Sequence, residues 1–280
     1  ALGGAGPRGP ALHPVPAPMM DDLSRAHLDH MDAEREPHNT IASRRRVLAS
    51  LGNAGTASRE EVEAWWATRR DKAPGTRSND LANLRAFYKW ARRWEHRDDD
   101  PTTRIDAPKV DKGLPRPISR ADLRRLLESL PDDLRRAVAL GAYAGLRVSE
   151  VAALHWHDVD IEARRARILN GKGGKSRLVA LGAVLIDQLL PDTGGNVVTG
   201  TKQVMSAATL QRRVNRAIRR QGIDATFHQL RHRYGTLAYQ ATRDLVAVGR
   251  QMGHSSPVTT AIYAAASDDV ADAIAEAVAR

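Results

Sequence analysis

Apolar positions recur every three to four residues over most of the chain, the period of a helix that buries one face. Leu23, Leu28 and Met31 predict a first helix, and Ile41 to Leu51 a second that stops at Gly52. "SREEVEAWWATRR" predicts a third, opened by Ser58 and Glu61 at capping-box spacing. In "TRSNDLANLRAFYKWARRWEHR" Leu81, Leu84, Tyr88 and Ala91 share one face of a fourth, longer helix. Further on, "SRADLRRLLESL" carries Ser119 as N-cap with Asp122 three residues later, and "DDLRRAVALGAYAGLRVSEVAAL" predicts two almost wholly apolar helices interrupted around Gly145. Between Trp156 and Leu181 the pattern changes to short β-like runs with an Asn170-Gly171 turn signal, hence a small antiparallel sheet. Helical patterning returns from Met205 to the end, and no repeat of fixed period is evident.

Punctuation divides this series. Residues 1–20 hold five Pro and four Gly without periodicity and predict a disordered tail. "HRDDDPTTRIDAPKVDKGLPRPIS", rich in Pro and charge, lies between two helical regions and predicts a linker, with a boundary near Val110. The expected organisation is a tail over 1–20, a helical domain over 21–97, a linker over 98–117 and a second domain over 118–280. The fold class is mainly α: a helical N-terminal domain plus a mostly helical one with a small antiparallel sheet.

Composition narrows the partners. A formal charge of +10 and a pI near 10.3 favour a polyanion, nucleic acid first. On the fourth helix Arg77, Arg85, Lys89 and Arg92, with Arg93 and Arg97, form a candidate phosphate-tracking surface, whereas Trp65, Trp66, Trp90 and Trp94 are expected to pack. The absence of cysteine excludes disulfides, zinc-thiolate sites and a cysteine nucleophile. No apolar run approaches the ~20 residues needed to span a bilayer, so no membrane partner is expected. His155 and His157, at i, i+2 with no cysteine, make a poor metal pair.

Candidate chemistry begins with "TFHQLRHRYGT", which holds His228, Arg231, His232 and Arg233. In a chain with 36 Arg and 10 His, a His followed three residues later by Arg arises about once by chance, so this motif needs company. It has it in "YAGLRVSEVAAL" around Arg147, "NGKGGKSRLVAL" around Lys172, and "QMGHSSPVTTAIYA" with His254 and Tyr263. Together, and in this order, these segments resemble the tyrosine recombinase, or phage integrase, family over roughly residues 118–265. Met252 before Gly253 and Ala180 after the lysine segment depart from that pattern, where many relatives have Leu and Pro.

The resemblance implies a set of roles. Arg147 and Arg231 would grip a scissile phosphate, whose nonbridging oxygens gain charge during in-line attack. His228 and His254 would add hydrogen bonds, with His228 the candidate acceptor of the tyrosine proton. Tyr263 would be the nucleophile, forming a 3′-phosphotyrosyl intermediate, and Lys172 would protonate the departing 5′-oxygen. Glu150 is expected to orient Arg147, His232 to support the site, Arg233 to be structural, and Tyr234 and Tyr239 to be lesser nucleophile candidates. No cofactor and no metal enter this scheme. The implied enzyme is a metal- and ATP-independent site-specific recombinase, of a simple type without an arm-binding domain. It would act on double-stranded DNA core sites as a homotetramer, through a Holliday junction, in the bacterial cytoplasm and on the nucleoid when bound to DNA. Integration of phage or other mobile DNA is the expected role; chromosome-dimer resolution and type IB topoisomerase-like relaxation are the alternatives, and an accessory directionality or host factor stays open. The stripe Val270, Ile274 and Val278 predicts a tail helix packed on its own subunit or on a neighbour.

Overall fold

The computed structural model describes residues 20–110, 116–169, 176–189, 195–198, 205–254 and 256–265. The predicted tail (bar residue 20), the Asn170-Gly171 turn with Lys172, and the stripe from Val270 to Val278 lie outside the described residues. The chain divides into two compact units, residues 1–112 and 113–280.

The first unit contains α1 (Asp22–Ala33), α2 (His38–Leu51), α3 (Arg59–Ala67) and α4 (Pro74–Arg93). Its caps follow the sequence signals. Glu61 N–H donates to Ser58 Oγ at 3.2 Å while Ser58 N–H donates to Glu61 Oε2 at 2.7 Å, satisfying two donors that a helix start leaves without intrahelical partners. Gly52 ends α2 at φ +86°, a backbone state glycine adopts without a Cβ penalty. Leu28, Val47, Leu48, Val62, Leu81, Leu84 and Phe87 form the core. The segment after α4, read as linker from its prolines and charges, first folds back on this unit: Ile105 is buried in the core and its carbonyl accepts from Arg85 Nη2 at 2.5 Å.

The second unit is built from α5 (Arg120–Ser129), α6 (Asp132–Tyr143), α7 (Val148–Ala153), strands β1 (Val159–Asp160), β2 (Arg165–Ile168) and β3 (Arg177–Ala180), then α8 (Ala183–Ile186), α9 (Ala207–Arg220), α10 (Phe227–Thr242), α11 (Leu245–Met252) and α12 (Pro257–Ala265). The strands form one antiparallel sheet in the order β1-β2-β3, with Ala166 opposite both Val159 and Val179. Helix α6 is the centre of the core: Leu134, Ala137, Val138 and Leu140 are buried on it, and Gly141 lets α10 come close, since a Cβ there would stand 3.0 Å from Phe227 Cζ. Gly145 separates α6 from α7 at φ +65°, and its missing side chain is occupied by the ring of Tyr234, whose Cδ1 would lie 2.4 Å from a Cβ. The expected class, mostly helical with a small antiparallel sheet, is the observed one. Among the described residues no helix is long and apolar enough to cross a membrane.

Candidate active site

Three arginines far apart in sequence meet at the end of α11. A helix C-terminus carries carbonyls without intrahelical partners and a partial negative charge, so it attracts cationic donors. Gly253 stops α11 in the left-handed conformation, φ +68°. Three consecutive carbonyls at that stop are then taken: Gln251 O by Arg177 Nε at 3.0 Å, Met252 O by Arg231 Nη2 at 2.7 Å, and Gly253 O by Arg147 Nη2 at 2.7 Å. Arg231 Nη1 also donates to the carbonyl of Gly145, the other left-handed glycine of the site.

Glu150 locks this group. Its side chain, 4% exposed, accepts from Arg147 Nη1 and Arg177 Nη1 on Oε1, both at 2.8 Å. On Oε2 it accepts from Arg177 Nη2 and the Arg147 backbone N–H, both at 2.9 Å. Burial alone would raise the carboxyl pKa; the Arg177 bonds, the Arg147 N–H and the two guanidinium charges outweigh it and hold Glu150 below the usual carboxylate range. Arg177 also fills the space beside Gly253, where a Cβ would lie 2.7 Å from its Nη1.

Helix α10 supplies the next layer. Gln229 closes a capping box, accepting the Thr226 N–H at 2.8 Å. Phe227 and Leu230 enter the core, which leaves His228, Arg231, His232 and Gly235 on the flank that meets the site. Arg231 is 2% exposed, and burial followed by the neighbouring Arg147 charge pulls its pKa down to about 10, still protonated at neutral pH. His228 keeps an exposed edge, yet desolvation of its inner side, then Arg231 and Arg147, hold it below the ordinary histidine range. His232 and His254 are each pushed down to about 4, in both cases by burial first; His228 then Arg231 follow for His232, and Arg231 then Arg147 for His254. All three rings are therefore neutral at pH 7.

Tyr263, on α12, completes the cluster. Its side chain is 2% exposed; its ring stacks on His254 with centroids 6.2 Å apart and meets His232 edge-on at 5.8 Å, while His232 stands 4.4 Å from His228. Burial raises the phenol pKa, and the Arg231 and Arg147 charges oppose that rise. His254 Nδ1 shares a 2.8 Å hydrogen bond with Thr260 Oγ1, one turn before Tyr263.

Arg147, His228, Arg231, His254 and Tyr263 thus share one site, while Lys172 lies outside the described residues. Met252 is fully buried, so its departure from the family pattern falls on a packing position whose carbonyl holds Arg231. Arg233, expected to be structural, donates from Nη1 to Ile118 O at 3.4 Å. Tyr234 packs on the Gly145 turn, and Tyr239 is buried. The rings of His155 and His157 lie 4.0 Å apart beside Asp158, and among the described residues no group of three or more His, Cys, Asp or Glu could hold a metal.

The basic residues of α4 and of the segment just after it part ways. Arg77 lies over the Trp66 ring at 4.7 Å, Arg85 holds Ile105 O, and Arg97 donates to Gly55 O and Ala57 O. Lys89, Arg92 and Arg93 are exposed along a cleft of about 640 Å³. Trp94, expected to pack, is 54% exposed at the end of α4, because it falls one position past the last helical turn; among the described residues its ring meets that of His30 at 5.5 Å. Two features escaped the sequence reading. Arg177 gave no motif signal, since a lone arginine in a strand is unremarkable. Helix α9 did: Leu210, Val214 and Ile218 form a strict i, i+4, i+8 buried stripe, and Arg212, Arg216, Arg219 and Arg220 are exposed on the rest of its surface.

A mostly helical unit that gathers arginines, neutral histidines and a tyrosine at one point holds the fixed cations, proton acceptors and hydroxyl that phosphoryl chemistry calls for. The chain belongs to the phage integrase family, whose model matches residues 118–269, and is a tyrosine recombinase, an enzyme of site-specific DNA recombination. It is 30% identical over 263 residues to tyrosine recombinase XerC of Xanthomonas campestris pv. campestris (strain B100), covering 84% of this chain and 81% of that one. Its fold is similar to that of a lambda integrase (75–356) dimer bound to a COC′ core site, with a TM-score of 0.71, 17% identity, and 85% and 95% of the two chains covered. A lambda integrase tetramer bound to a Holliday junction matches with a TM-score of 0.68 and 16% identity, covering 84% of this chain and 77% of that one.

Proposed function

We propose that the chain cleaves duplex DNA at core sites with Tyr263 as nucleophile and reseals it to a second strand. The phenol oxygen of Tyr263 bonds to phosphorus as the bond from phosphorus to the 5′-oxygen breaks. The phenol proton passes to His228, and Lys172 protonates the 5′-oxygen. The product is a 3′-phosphotyrosyl enzyme and a free 5′-hydroxyl. Attack by a 5′-hydroxyl from the partner duplex reverses these bond changes and needs neither ATP nor metal. Arg147 and Arg231 stabilise the charge on the nonbridging oxygens, and because that charge is greatest in the transition state, fixed donors lower the barrier. His254 adds a donor on the same phosphate.

The observation that carries this reading is the convergence of Arg147 and Arg231 on the successive carbonyls of Gly253 and Met252, next to His254 and Tyr263. Two fixed cations are thereby held beside a phenol and neutral imidazoles. The exposed arginines of α9 and the Lys89, Arg92 and Arg93 group of α4 supply sequence-independent phosphate contacts. The assembly we propose is a homotetramer on two sites passing through a Holliday junction, in the bacterial cytoplasm. Integration of mobile DNA and resolution of chromosome dimers use the same chemistry, and the kinship with XerC supports the second role as much as the first. The test is a nicked suicide duplex, which traps the covalent intermediate. Tyr263→Phe keeps duplex binding and forms no protein–DNA adduct; an undiminished adduct in this variant refutes the assignment.

A further inference from the structure

We propose that Gly235 is the seat that shelters Tyr263 in the free protein, so that cleavage starts with the phenol ring leaving the face of α10. The inference rests on the reading of Tyr263 as nucleophile and adds a positioning residue to it. A duplex cannot enter a protein core, so a phenol that is 2% exposed has to emerge before its oxygen reaches phosphorus.

The sheltered position depends on a missing side chain. A Cβ on residue 235 would stand 2.3 Å from Tyr263 Cζ, and 2.5 and 2.7 Å from its two Cε atoms. No real Cβ sits so close to a ring, so only glycine permits this placement. Gly235 lies in the interior of α10, where glycine costs helix stability relative to alanine, so a packing reason has to offset its presence. One turn earlier His232 and two turns earlier His228 continue the same flank, and His232 meets the phenol ring edge-on. The Nδ1 of His232 is buried without a hydrogen-bond partner, so that nitrogen does not tether the phenol.

A second contact repeats the design. Thr260, one turn before Tyr263 on α12, is fully buried against α11, and a Cβ on Gly249 would lie 2.9 Å from its Oγ1. Helix α12 therefore lies on bare helical glycines of two neighbours, with His254 bonded to Thr260. On the α10 face, a contact made over glycine gives close approach with no Cβ to interlock, so the remaining hold on the ring comes from His232, His254 and the Tyr239, Val248 and Met252 cluster.

Gly235→Ala tests the seat in the full chain without DNA. Nitration of Tyr263 by tetranitromethane, read by peptide mass spectrometry, is slow in the parent and rises on the order of tenfold in the variant, because the open form becomes the resting one. Unchanged protection of Tyr263 in a folded Gly235→Ala protein overturns the proposal. A double-mutant cycle provides the second measurement. With Tyr263→Ala in the background, Gly235→Ala raises the melting temperature by roughly 2 to 4 °C, the ordinary gain of a helix-interior alanine. With Tyr263 present the same change lowers the melting temperature or prevents folding. Equal shifts in both backgrounds also overturn the proposal. Failure of the nucleophile assignment would look different: the suicide-substrate adduct would map to another residue, with the nitration pattern unaffected.

Discussion

Replacing Glu150 by Gln removes one charge and no volume, and it strikes the point on which two of the three arginines depend. The carboxylate accepts four hydrogen bonds, two on each oxygen, from Arg147 and Arg177. An amide offers one acceptor oxygen and turns an N–H₂ toward donors, so one edge of the lock becomes repulsive. Breaking one side of a buried ion pair costs about 3–5 kcal/mol. The side chains of Arg177 and Arg147 are 12% and 27% exposed, so water relieves part of that cost and the lower end applies. Against a typical total of about 5–15 kcal/mol, a loss of ~3 kcal/mol is large. It moves the urea midpoint of the second unit down by about 1.5 M, for a slope near 2 kcal/mol per M.

The pH dependence adds a signature. Because the folded pKa of Glu150 is depressed, its contribution is present above the unfolded value near 4.5 and is lost as pH falls through the folded value. The parent and Glu150→Gln therefore converge in acid and diverge above about pH 5. Adduct formation on the nicked duplex slows on the order of tenfold as the Arg147 fork loosens. A Glu150→Gln protein within about 0.5 kcal/mol of the parent at pH 7, with an unchanged cleavage rate, would show that the carboxylate does not hold the arginines in place.

Two other expectations follow from charge. Changing Arg212, Arg216 and Arg219 of α9 to Gln weakens duplex binding for every sequence and lowers the slope of log affinity against log salt by roughly 0.9 for each DNA phosphate left without its arginine; an unaltered slope in filter binding would remove α9 from the interface. In the first unit, His27 is buried, accepts at Nε2 from Arg44 Nη1 at 2.7 Å, and is pushed down to about 3, by burial first and then by Arg44. The unfolded chain binds this proton near pH 6.5 and the folded chain does not, so stability is full above that value and falls as pH drops toward 3. Between pH 6.5 and 5 the loss is up to about 2 kcal/mol, read as a urea midpoint by tryptophan fluorescence, and it is absent in His27→Gln; a parent midpoint flat over this range would refute the burial argument.

The helix spans, their caps and the small sheet were legible because they are written locally. Ser58 with Glu61, Ser119 with Asp122 and the stop at Gly52 are short-range signals for backbone groups only a few residues away. The candidate residues Arg147, His228, Arg231, His254 and Tyr263 were legible for another reason: their spacing matches a family pattern. What the sequence could not state is where each guanidinium goes. Arg231 and Arg233 stand two residues apart on one helix, yet one enters the site and the other turns to Ile118. Arg177 looked like any strand arginine until the end of α11, 74 residues on, offered it a carbonyl. Trp94 reads as a packing residue and is exposed. Periodicity determines which side of a helix faces inward, because it reflects burial averaged over turns. Carbonyl acceptors occur at every position and carry no residue identity, so only the tertiary fold, by stopping α11 at Gly253 and laying α12 over Gly235, decided which arginines meet and where the tyrosine rests.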